Sequence, residues 1–369
     1  MTVSAPSNAQ PALVPELSII LVSYNSLSDL QRCLPTLLAQ KTGFSYEIIV
    51  VDNHGNDGVR DWIKTAEPAV IYYQNTTNSG YAGGNNLGLK HASGRWTLFL
   101  NPDTELLPDC LERLRKTAYD FPDAFITPKL LHSDGTVNAC GNVMHYTGIT
   151  TCRGLNEPSD VYTNLETVPL LSGAAFLAPT LALKRLGGFD ETYFMYFEDT
   201  DLSLRARLAG YSLLCDARAC IVHHYKLGMN PLKFYHLERN RLLTFLKIFS
   251  RKTLLQLLPA LLITEAMTWA YSLRGWSYFR ARFQGYFWLW KNRSSWLKNR
   301  RTIQQNRQLP DQTILNDSLL SLPFEQLAGP SLGRFLNVLT QPLFRLLRPS
   351  FNPQQGTGPK TPLHVEGEI

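Results

Sequence analysis

The first hundred residues alternate short apolar runs with segments of helical periodicity, and this alternation limits the fold more than any other feature. The apolar runs are Leu17–Ser23, Tyr46–Val51, Val70–Tyr73 and Trp96–Leu100. The helical patterns between them are Ser28–Ala39, Asp57–Ala66 and Ala82–His91. A βαβαβαβ order predicts a parallel sheet with helices on its faces, which is the α/β class.

The rest of the chain gives further helix and strand signals. Pro108 favours a helix over Asp109–Tyr119, and Ser133-Asp134-Gly135 predicts a hairpin turn. Additional helices are predicted after Pro179, over Glu198–Ala209, from Asn230-Pro231 to Phe249, and over Thr253–Leu273. Two separate strands are predicted at Tyr211–Leu214 and Ala219–Val222. Leu315–Leu322 and Leu332–Leu347 have amphipathic helical spacing.

These signals divide the chain into four parts. We expect a disordered N-terminus over residues 1–15, an α/β domain over 16–250, a basic and aromatic helical region over 251–307, and a partly disordered extension over 308–369. Hydrophobic residues make up 44% of the chain and charged residues 18%, as in a folded protein. The six cysteines form no CxxC pair and no signal peptide opens the chain, so we expect reduced thiols and a cytoplasmic domain.

Polar segments follow each of the four predicted strands. They are Ser23-Tyr24-Asn25, Asp52-Asn53, the glycine-rich 78–86, and Asn101-Pro102-Asp103. The carboxyl ends of parallel strands meet at one sheet edge, where open α/β sheets bind ligands. An acid after strand two can bond a ribose or a base, and glycines before a helix can leave N–H groups free for anions. A dehydrogenase is disfavoured because its GxGxxG belongs after strand one.

Two further segments carry candidate chemistry, each with a structural alternative. Aromatic residues over 189–197 precede Glu198, Asp199 and Asp201. These acids either favour the dipole of a helix start or include a general base at an apolar pocket. His223-His224 follows an apolar run, and these residues either pack in the core or bind a cation held by Asp103.

Together these motifs resemble the family 2 glycosyltransferases with the GT-A fold, and among them the bacterial rhamnosyltransferase-like members. The matching segments are Val22-Ser23-Tyr24-Asn25, Val51-Asp52-Asn53, 78–86, Leu100-Asn101-Pro102-Asp103 and 196–202, and the likeness covers roughly residues 15–250. The resemblance implies a GT-A domain with a Rossmann-like, mostly parallel sheet, followed here by a helical C-terminal extension.

The resemblance also implies roles for individual residues. Asp199 would be the catalytic base, and Asp103 would bind a divalent metal, Mg²⁺ or Mn²⁺, together with His223 or His224. Donor-binding residues would be Ser23, Tyr24, Asn25, Asp52, Asn53, Gly80, Tyr81, Gly83, Asn85, Asn101 and Asp103. Residues of the acceptor pocket would be Ser172, Gly173, Glu198 and Arg205. For Arg239-Asn240 both a structural role and a phosphate contact stay open.

One position departs from the family pattern. The first acid of the DxD motif is Asn101 here, so the site has one carboxylate fewer and metal binding should depend more on the substrate diphosphate. The implied function is inverting transfer of a sugar, with L-rhamnose from dTDP-L-rhamnose as the best guess, to a cell-surface polysaccharide or lipid-linked glycan. The alternatives are a sugar-1-phosphate nucleotidyltransferase and a non-catalytic membrane-associated scaffold with a degenerate site.

The region 251–307 is basic and aromatic. It contains eleven Lys or Arg residues and one acid, Glu265, among many Trp, Tyr and Phe residues. A nucleic-acid patch is disfavoured because the aromatic residues follow a long apolar helix. Pro259 and Glu265 also argue against a membrane span. We expect helices that lie on the inner face of the cell membrane, with a packed helical subdomain as the alternative.

Overall fold

The computed structural model describes residues 14–225 and 228–349. Its strands are β1 (Leu17–Ser23), β2 (Tyr46–Asp52), β3 (Ile71–Gln74), β4 (Trp96–Leu100), β5 (Thr104–Leu106), β6 (Phe125–Leu131), β7 (Val137–Ala139), β8 (Asn142–Met144), β9 (Thr150–Cys152), β10 (Leu165–Thr167), β11 (Ala175–Pro179) and β12 (Leu213–His223). Its helices are α1 (Leu27–Leu38), α2 (Val59–Ala66), α3 (Gly80–His91), α4 (Cys110–Asp120), α5 (Thr180–Arg185), α6 (Glu198–Leu208), α7 (Pro231–Ile248), α8 (Arg251–Ser272), α9 (Trp276–Lys291), α10 (Arg293–Asn306), α11 (Asp311–Leu315), α12 (Phe324–Ala328) and α13 (Pro330–Leu347).

The main sheet has the strand order β10-β12-β6-β11-β4-β1-β2-β3. Strands β1 to β4 pair in parallel, which confirms the βαβαβαβ prediction. Strand β11 lies antiparallel between β4 and β6, so the complete sheet is mixed. The chain reaches this position by a long excursion over residues 132–174, and no local sequence pattern indicates the direction of the inserted strand.

Helices cover both faces of the sheet. On one face, Ile19 and Leu21 of β1 share a core with apolar side chains of α1, α2 and α4. On the other face, Ile20 shares a core with α3, α5 and α6. Alternate side chains of a strand point to opposite faces, so a fully apolar strand such as β1 is expected when both faces are covered.

Two predicted elements differ from the structure. Tyr211–Leu214 and Ala219–Val222 are parts of one strand, β12, whose pairing with β6 shifts register between Asp216 and Cys220. A bulge leaves residues unpaired without ending the strand, which is why the sequence pattern is interrupted there. The predicted helix at Leu315–Leu322 is wrong, because α11 ends at Leu315.

The chain after α7 is helical as predicted, and α8, α9 and α10 cover most of 251–307. Part of this region packs on the α/β domain, since Leu257 and Ala260 of α8 share a core with Phe245 of α7 and Tyr146. Within the part of the chain described, α8 is the one helix long and apolar enough to cross a membrane, judged by length and composition. The predicted disorder at residues 1–13 and 350–369 lies outside the described residues.

Candidate active site

The ends of β1 and β2 meet at one edge of the sheet. Ser23 pairs with Asp52 in register, and the Asn53 N–H donates to the Ser23 carbonyl over 2.7 Å. The Asp52 carboxylate is buried, where it accepts from the Gly55 N–H over 2.7 Å and the Tyr72 hydroxyl over 2.8 Å. This edge thus brings together the predicted residues of the first two strand ends.

Tyr24 is exposed at this edge, with 52% of its surface accessible. Ser23 is buried, and its hydroxyl bonds the Ser26 hydroxyl over 2.8 Å. Asn25 has a positive φ of 53°, and its side-chain oxygen accepts from the Asn56 N–H over 2.8 Å. The phenol ring of Tyr24 is therefore the group at this edge that is free to stack on a flat ligand.

The glycines of residues 78–86 have a steric role in the fold. Gly80 has φ +69°, and a Cβ there would lie 2.2 Å from the Phe194 carbonyl oxygen. Inside α3, a Cβ on Gly84 or Gly88 would lie 2.5 or 2.4 Å from a side-chain carbon of β1. The glycines allow α3 to pack closely on β1 and on residue 194, which is a steric requirement of the fold.

The first turn of α3 is also less open to anions than expected. The Gly80 N–H donates to the Asn78 side chain over 2.9 Å, and the Ala82 N–H donates to the Phe194 carbonyl over 3.2 Å. A Cβ on Gly83 would meet Ser79 at 2.5 Å. Protein acceptors thus bind N–H groups for which the sequence predicts a phosphate partner.

Asn53 and Asn85 face the protein interior. The Asn53 amide donates to Asn78 and to the Gly80 carbonyl, and its oxygen accepts from Asn75 and Ser79. Asn85 donates to the Tyr81 carbonyl within α3. These contacts give both amides a structural role in the loop, and their role in donor binding stays a prediction.

Asp103 and His223 face each other across the antiparallel pair β5–β12. The His223 Nε2 lies 3.4 Å from the Asp103 Oδ1, and its Nδ1 lies 3.1 Å from the Asn138 side-chain oxygen. Although burial raises the pKa of Asp103, contact with His223 outweighs it and holds the pKa below its ordinary value. His224 points elsewhere, with its Nε2 2.5 Å from Glu105 and its Nδ1 3.1 Å from Ser133.

A divalent cation fits the Asp103–His223 pair. Asp103 Oδ1, His223 Nε2 and Asn101 Oδ1 are all buried without a hydrogen-bond partner, and such orphaned atoms are typical of an absent ligand. Over residues 14–225 and 228–349 no group of three or more His, Cys, Asp and Glu side chains forms a metal site. The protein therefore offers one acid and one imidazole, with the Asn101 amide oxygen beside them.

Asp199 lies on the other side of the β4 end. The Asn101 N–H donates to the Ala174 carbonyl over 2.8 Å, and the neighbouring Gly173 N–H donates to Asp199 Oδ2 over 3.0 Å. The Tyr81 hydroxyl donates to the Gly173 carbonyl over 2.5 Å. Residues 172–174 thus connect the Asn101–Asp103 segment to Asp199, and a Cβ on Gly173 would approach Asp199 Oδ2 to 3.1 Å.

Burial controls the chemistry of the two acids that begin α6. It raises the pKa of Asp199, although the N–H groups of Thr200 and Gly173 oppose the shift. Burial, followed by the charge of Asp199, raises the pKa of Glu198 well above its ordinary value, and Glu198 Oε2 has no hydrogen-bond partner. Ser172, also predicted to lie in the pocket, is buried beside them. An acid whose pKa is raised by burial is a candidate general base.

The loop before Asp199 has a strained backbone. Phe194, Tyr196 and Phe197 have φ values of 66°, 63° and 70°, a region that aromatic residues rarely adopt. Asn240 donates to the carbonyls of Tyr193, Met195 and Tyr196 over 3.1, 2.9 and 2.7 Å. Strain persists where the surroundings determine the backbone, and here helix α7 supplies the donors.

Arg239 supports the same loop. Its guanidinium donates to the Tyr193 carbonyl over 2.7 Å and to Asn240 over 2.8 Å, and it lies 4.4 Å from the centre of the Trp288 ring. These contacts favour a structural role for Arg239-Asn240 over a phosphate contact. The sequence signal for this role is an Asn in the middle of a predicted helix. Its amide is unfavourable there unless it has hydrogen-bond partners outside the helix.

Arg205 makes its hydrogen bonds within the protein. Its Nε donates to Asp201 over 2.7 Å, and its two other nitrogens donate to the carbonyls of Leu186 and Gly188 over 2.7 and 2.8 Å. Asp201 also accepts from the buried Lys247 over 2.9 Å. Arg205 therefore joins α6 to the end of α5, and its role in acceptor binding stays a prediction.

Lys233 is a candidate residue that the sequence analysis did not identify. Its Nζ donates to the Tyr225 hydroxyl over 2.6 Å and lies 5.4 Å from the centre of the Tyr196 ring. Tyr225 stacks on His223 with ring centres 5.5 Å apart. Lys233 thus lies between the Asp103–His223 pair and the loop that leads to Asp199.

Comparison with known proteins identifies the α/β domain. The sequence model described as Glycosyl transferase family 2 matches residues 18–189, which include β1 from its second residue, β2 to β4, Asp103 and Gly173. Residues 18–189 are therefore a family 2 glycosyltransferase domain. The match favours a glycosyltransferase over a nucleotidyltransferase, and the protein is an enzyme of the glycosyltransferase class.

Two curated relatives show the same family relationship. The chain is 26% identical over 255 residues to the low-salt glycan biosynthesis hexosyltransferase Agl10 of Haloferax volcanii, covering 66% of this chain and 79% of the relative. It is also 26% identical over 262 residues to the N-acetylglucosaminyl-diphospho-decaprenol L-rhamnosyltransferase of Mycobacterium tuberculosis, covering 64% and 84%.

Solved structures support the fold. Staphylococcus aureus TarS 1–349 in complex with UDP matches with a TM-score of 0.50 and 17% identity, over 90% of each chain. GalNAc-T7 with UDP, GalNAc and Mn²⁺ matches with a TM-score of 0.51 and 16% identity, over 62% of this chain and 48% of that one. The predicted GT-A fold is confirmed.

Proposed function

We propose that this glycosyltransferase transfers a sugar from a nucleotide donor to a cell-surface polysaccharide or lipid-linked glycan, with inversion at the anomeric carbon. The supporting observation is the connection through residues 172–174, which puts Asp103–His223 and Asp199 on two sides of the β4 end. L-Rhamnose from dTDP-L-rhamnose is the proposed donor sugar. Its support is the sequence likeness to the mycobacterial rhamnosyltransferase.

Asp199 is the proposed general base. Its carboxylate removes the proton from an acceptor hydroxyl, and the oxygen forms a bond to the anomeric carbon while the bond to the diphosphate oxygen breaks. A single displacement of this kind inverts the configuration and needs no covalent intermediate. The raised pKa of Asp199 suits this role because a base is most effective when its pKa is near the working pH.

Asp103 and His223 would hold a divalent metal, Mg²⁺ or Mn²⁺, with the donor diphosphate completing its coordination. Bound there, the metal would neutralise charge on the departing nucleoside diphosphate. His224 is disfavoured as a ligand because it pairs with Glu105. Lys233 would supply a second positive charge near the diphosphate, which compensates for the neutral Asn101.

A thermal-shift screen tests donor binding. Nucleotide sugars, including dTDP-L-rhamnose, are added to the full chain with and without Mn²⁺, and a stabilisation that requires both is expected. His223→Ala should abolish the metal-dependent part, whereas His224→Ala should keep it. The metal assignment fails if Asp103→Ala leaves the Mn²⁺ titration unchanged. If no nucleotide sugar stabilises the wild-type chain, the proposed donor class is wrong.

The outer face of α8 is the proposed membrane contact and would place the enzyme on the inner face of the cell membrane. Leu255, Leu258 and Leu262 are 71%, 45% and 60% exposed on one side of this helix, and the following helix exposes Trp276 and Trp290. Basic residues in the same region suit anionic headgroups.

Replacing the three leucines with Gln tests this contact better than truncation at Ser250, because truncation would remove Glu265 from its buried partner Arg241. Binding to vesicles of phosphatidylglycerol and phosphatidylcholine is measured by sedimentation. The triple variant should lose binding, whereas Leu181→Gln/Leu232→Gln, which alters exposed leucines elsewhere, should keep it. Wild-type chain that stays in the supernatant at low salt contradicts the membrane contact.

A further inference from the structure

An apolar cavity of about 170 Å³ lies between α7, α8, β9 and the segment before α12. Its apolar lining includes Ile149, Phe197, Leu237, Met267, Leu322 and Phe324. Glu238 and Arg241 form part of the wall, and they are paired with each other over 2.8 Å. Because these charges are neutralised inside the protein, the cavity presents a mainly hydrocarbon surface to a ligand.

The cavity borders the loop that carries the proposed base. Phe197 lines it and directly precedes Glu198 and Asp199. Phe197 is held at φ +70° in the segment whose preceding carbonyls accept from Asn240. A molecule that fills the cavity would therefore touch a residue two positions from Asp199, on a backbone that is held in place.

Helix α8 is apolar on two opposite sides. Thr264, Met267 and Tyr271 face the cavity at helical spacing, whereas Leu258 and Leu262 are exposed on the far side. A helix with a single buried face normally places polar residues on its opposite face. Helix α8 thus forms one wall of the cavity and carries the exposed leucines on its opposite side. A hydrocarbon chain bound at those leucines is therefore close to the cavity.

We propose that the cavity holds the hydrocarbon part of a lipid-linked acceptor next to its sugar, so that the acceptor hydroxyl is held at Asp199. An apolar cavity of about 150 Å³ accommodates benzene, so this one suits a segment of about six carbons. The proposal rests on the proposed glycosyl transfer and identifies its acceptor as a lipid, bound at a site separate from the donor. The remainder of the chain would extend towards the outer face of α8.

The proposal is tested by comparing how tightly two phosphate esters bind to the full chain. Geranyl phosphate carries a ten-carbon chain, and methyl phosphate carries the same headgroup without it. Titration calorimetry below the micelle concentration should show geranyl phosphate binding at least tenfold more tightly. Equal affinities would show that only the phosphate is recognised and would overturn the proposal.

Two cavity variants of α8 and one control locate the site. Met267→Trp fills the cavity and should weaken geranyl phosphate binding at least tenfold, whereas Leu181→Trp, at an exposed leucine of α5, should leave it unchanged. Thr268→Phe fills the same cavity from the neighbouring position and should act like Met267→Trp. The proposal is wrong if both cavity variants bind normally, or if Leu181→Trp weakens binding as much as they do.

Nucleotide binding separates this proposal from the proposed function. The Mn²⁺-dependent thermal shift by nucleotide sugars should be the same in wild type, Met267→Trp and Leu181→Trp, because the cavity is not the donor site. A variant that loses this shift has lost its fold, and the other cavity variant then decides. If the wild-type chain binds geranyl phosphate and no nucleotide sugar, the cavity assignment stands and the donor assignment fails.

Discussion

Buried acids occur in two regions of this protein, with opposite electrostatic surroundings. At the start of α6, burial raises the pKa of both Glu198 and Asp199, and the hydrogen bonds described for Asp199 come from neutral donors. Between α7, α8 and α9, burial also favours a raised pKa for Glu265. There Arg241 and Arg282 outweigh it, so the pKa of Glu265 lies below its ordinary value.

The difference separates a proposed reactive site from a structural one. A buried carboxylate without a cation holds a proton more tightly, which suits a proposed general base. A buried carboxylate between two guanidinium groups stays charged and connects the helices that supply the partners. Variants can test each half of this contrast.

Replacing Asp199 should have the largest effect on activity. Asp199→Asn keeps the shape and the N–H contacts but removes the proton acceptor, so kcat should fall about 10²- to 10⁴-fold. Donor affinity, measured by thermal shift, should stay close to wild type. As a control, Asp61→Asn alters an exposed acid on α2 and should keep full activity. Near-wild-type turnover by Asp199→Asn would falsify its assignment as base.

Replacing Arg241 should have the largest effect on stability. Arg241→Met leaves Glu238 and Glu265 buried with one cation fewer, and breaking such a pair costs about 3–5 kcal/mol. Arg32→Met removes an exposed pair with Asp29 and should cost about 0–1 kcal/mol. Chemical denaturation measures both free energies of unfolding. Equal losses of unfolding free energy would show that the buried pairs of Arg241 stabilise the fold no more than the exposed Arg32–Asp29 pair does.

Replacing Asn240 tests the link between the two regions, since α7 carries both Asn240 and Arg241. Asn240→Ala removes the amide that donates to three carbonyls of the loop before Asp199, so kcat should fall about 10- to 100-fold through misplacement of the proposed base. The KM for the donor should change little. A rise in KM with unchanged kcat would instead place Asn240 in donor binding.

The smallest effect is expected from the pH dependence of stability. The folded protein holds a proton on Glu198 at pH values where the unfolded chain has released it, so stability falls as pH rises from about 4.5. Glu198→Gln cannot ionise, so the free energy of unfolding of this variant should depend less steeply on pH between pH 5 and pH 8. Denaturation curves at pH 5 and pH 8 measure it. If the unfolding free energy of Glu198→Gln changes with pH as steeply as that of wild type, burial does not raise the pKa of Glu198.

Several features of the candidate site were readable from the sequence because they depend on local patterns. The four strands β1 to β4, the polar segments at their ends, and the acids that begin α6 all follow from periodicity and from residue order. Glycines were harder to interpret. A run such as 78–86 looks the same whether the missing side chains make room for a phosphate or, as here, for β1 and Phe194.

Periodicity and motif order were therefore enough to predict an α/β domain like those of the family 2 glycosyltransferases, and to name Asp103 and Asp199 as its candidate acids. Only the tertiary structure decided which histidine faces Asp103, because β5 and β12 are more than a hundred residues apart and their register sets the direction of each side chain. It also decided that Arg205 and Arg239-Asn240 support the backbone, and that burial without a cation raises the pKa of Asp199. Partners and burial arise from contacts between distant segments, whereas periodicity is carried by neighbouring residues.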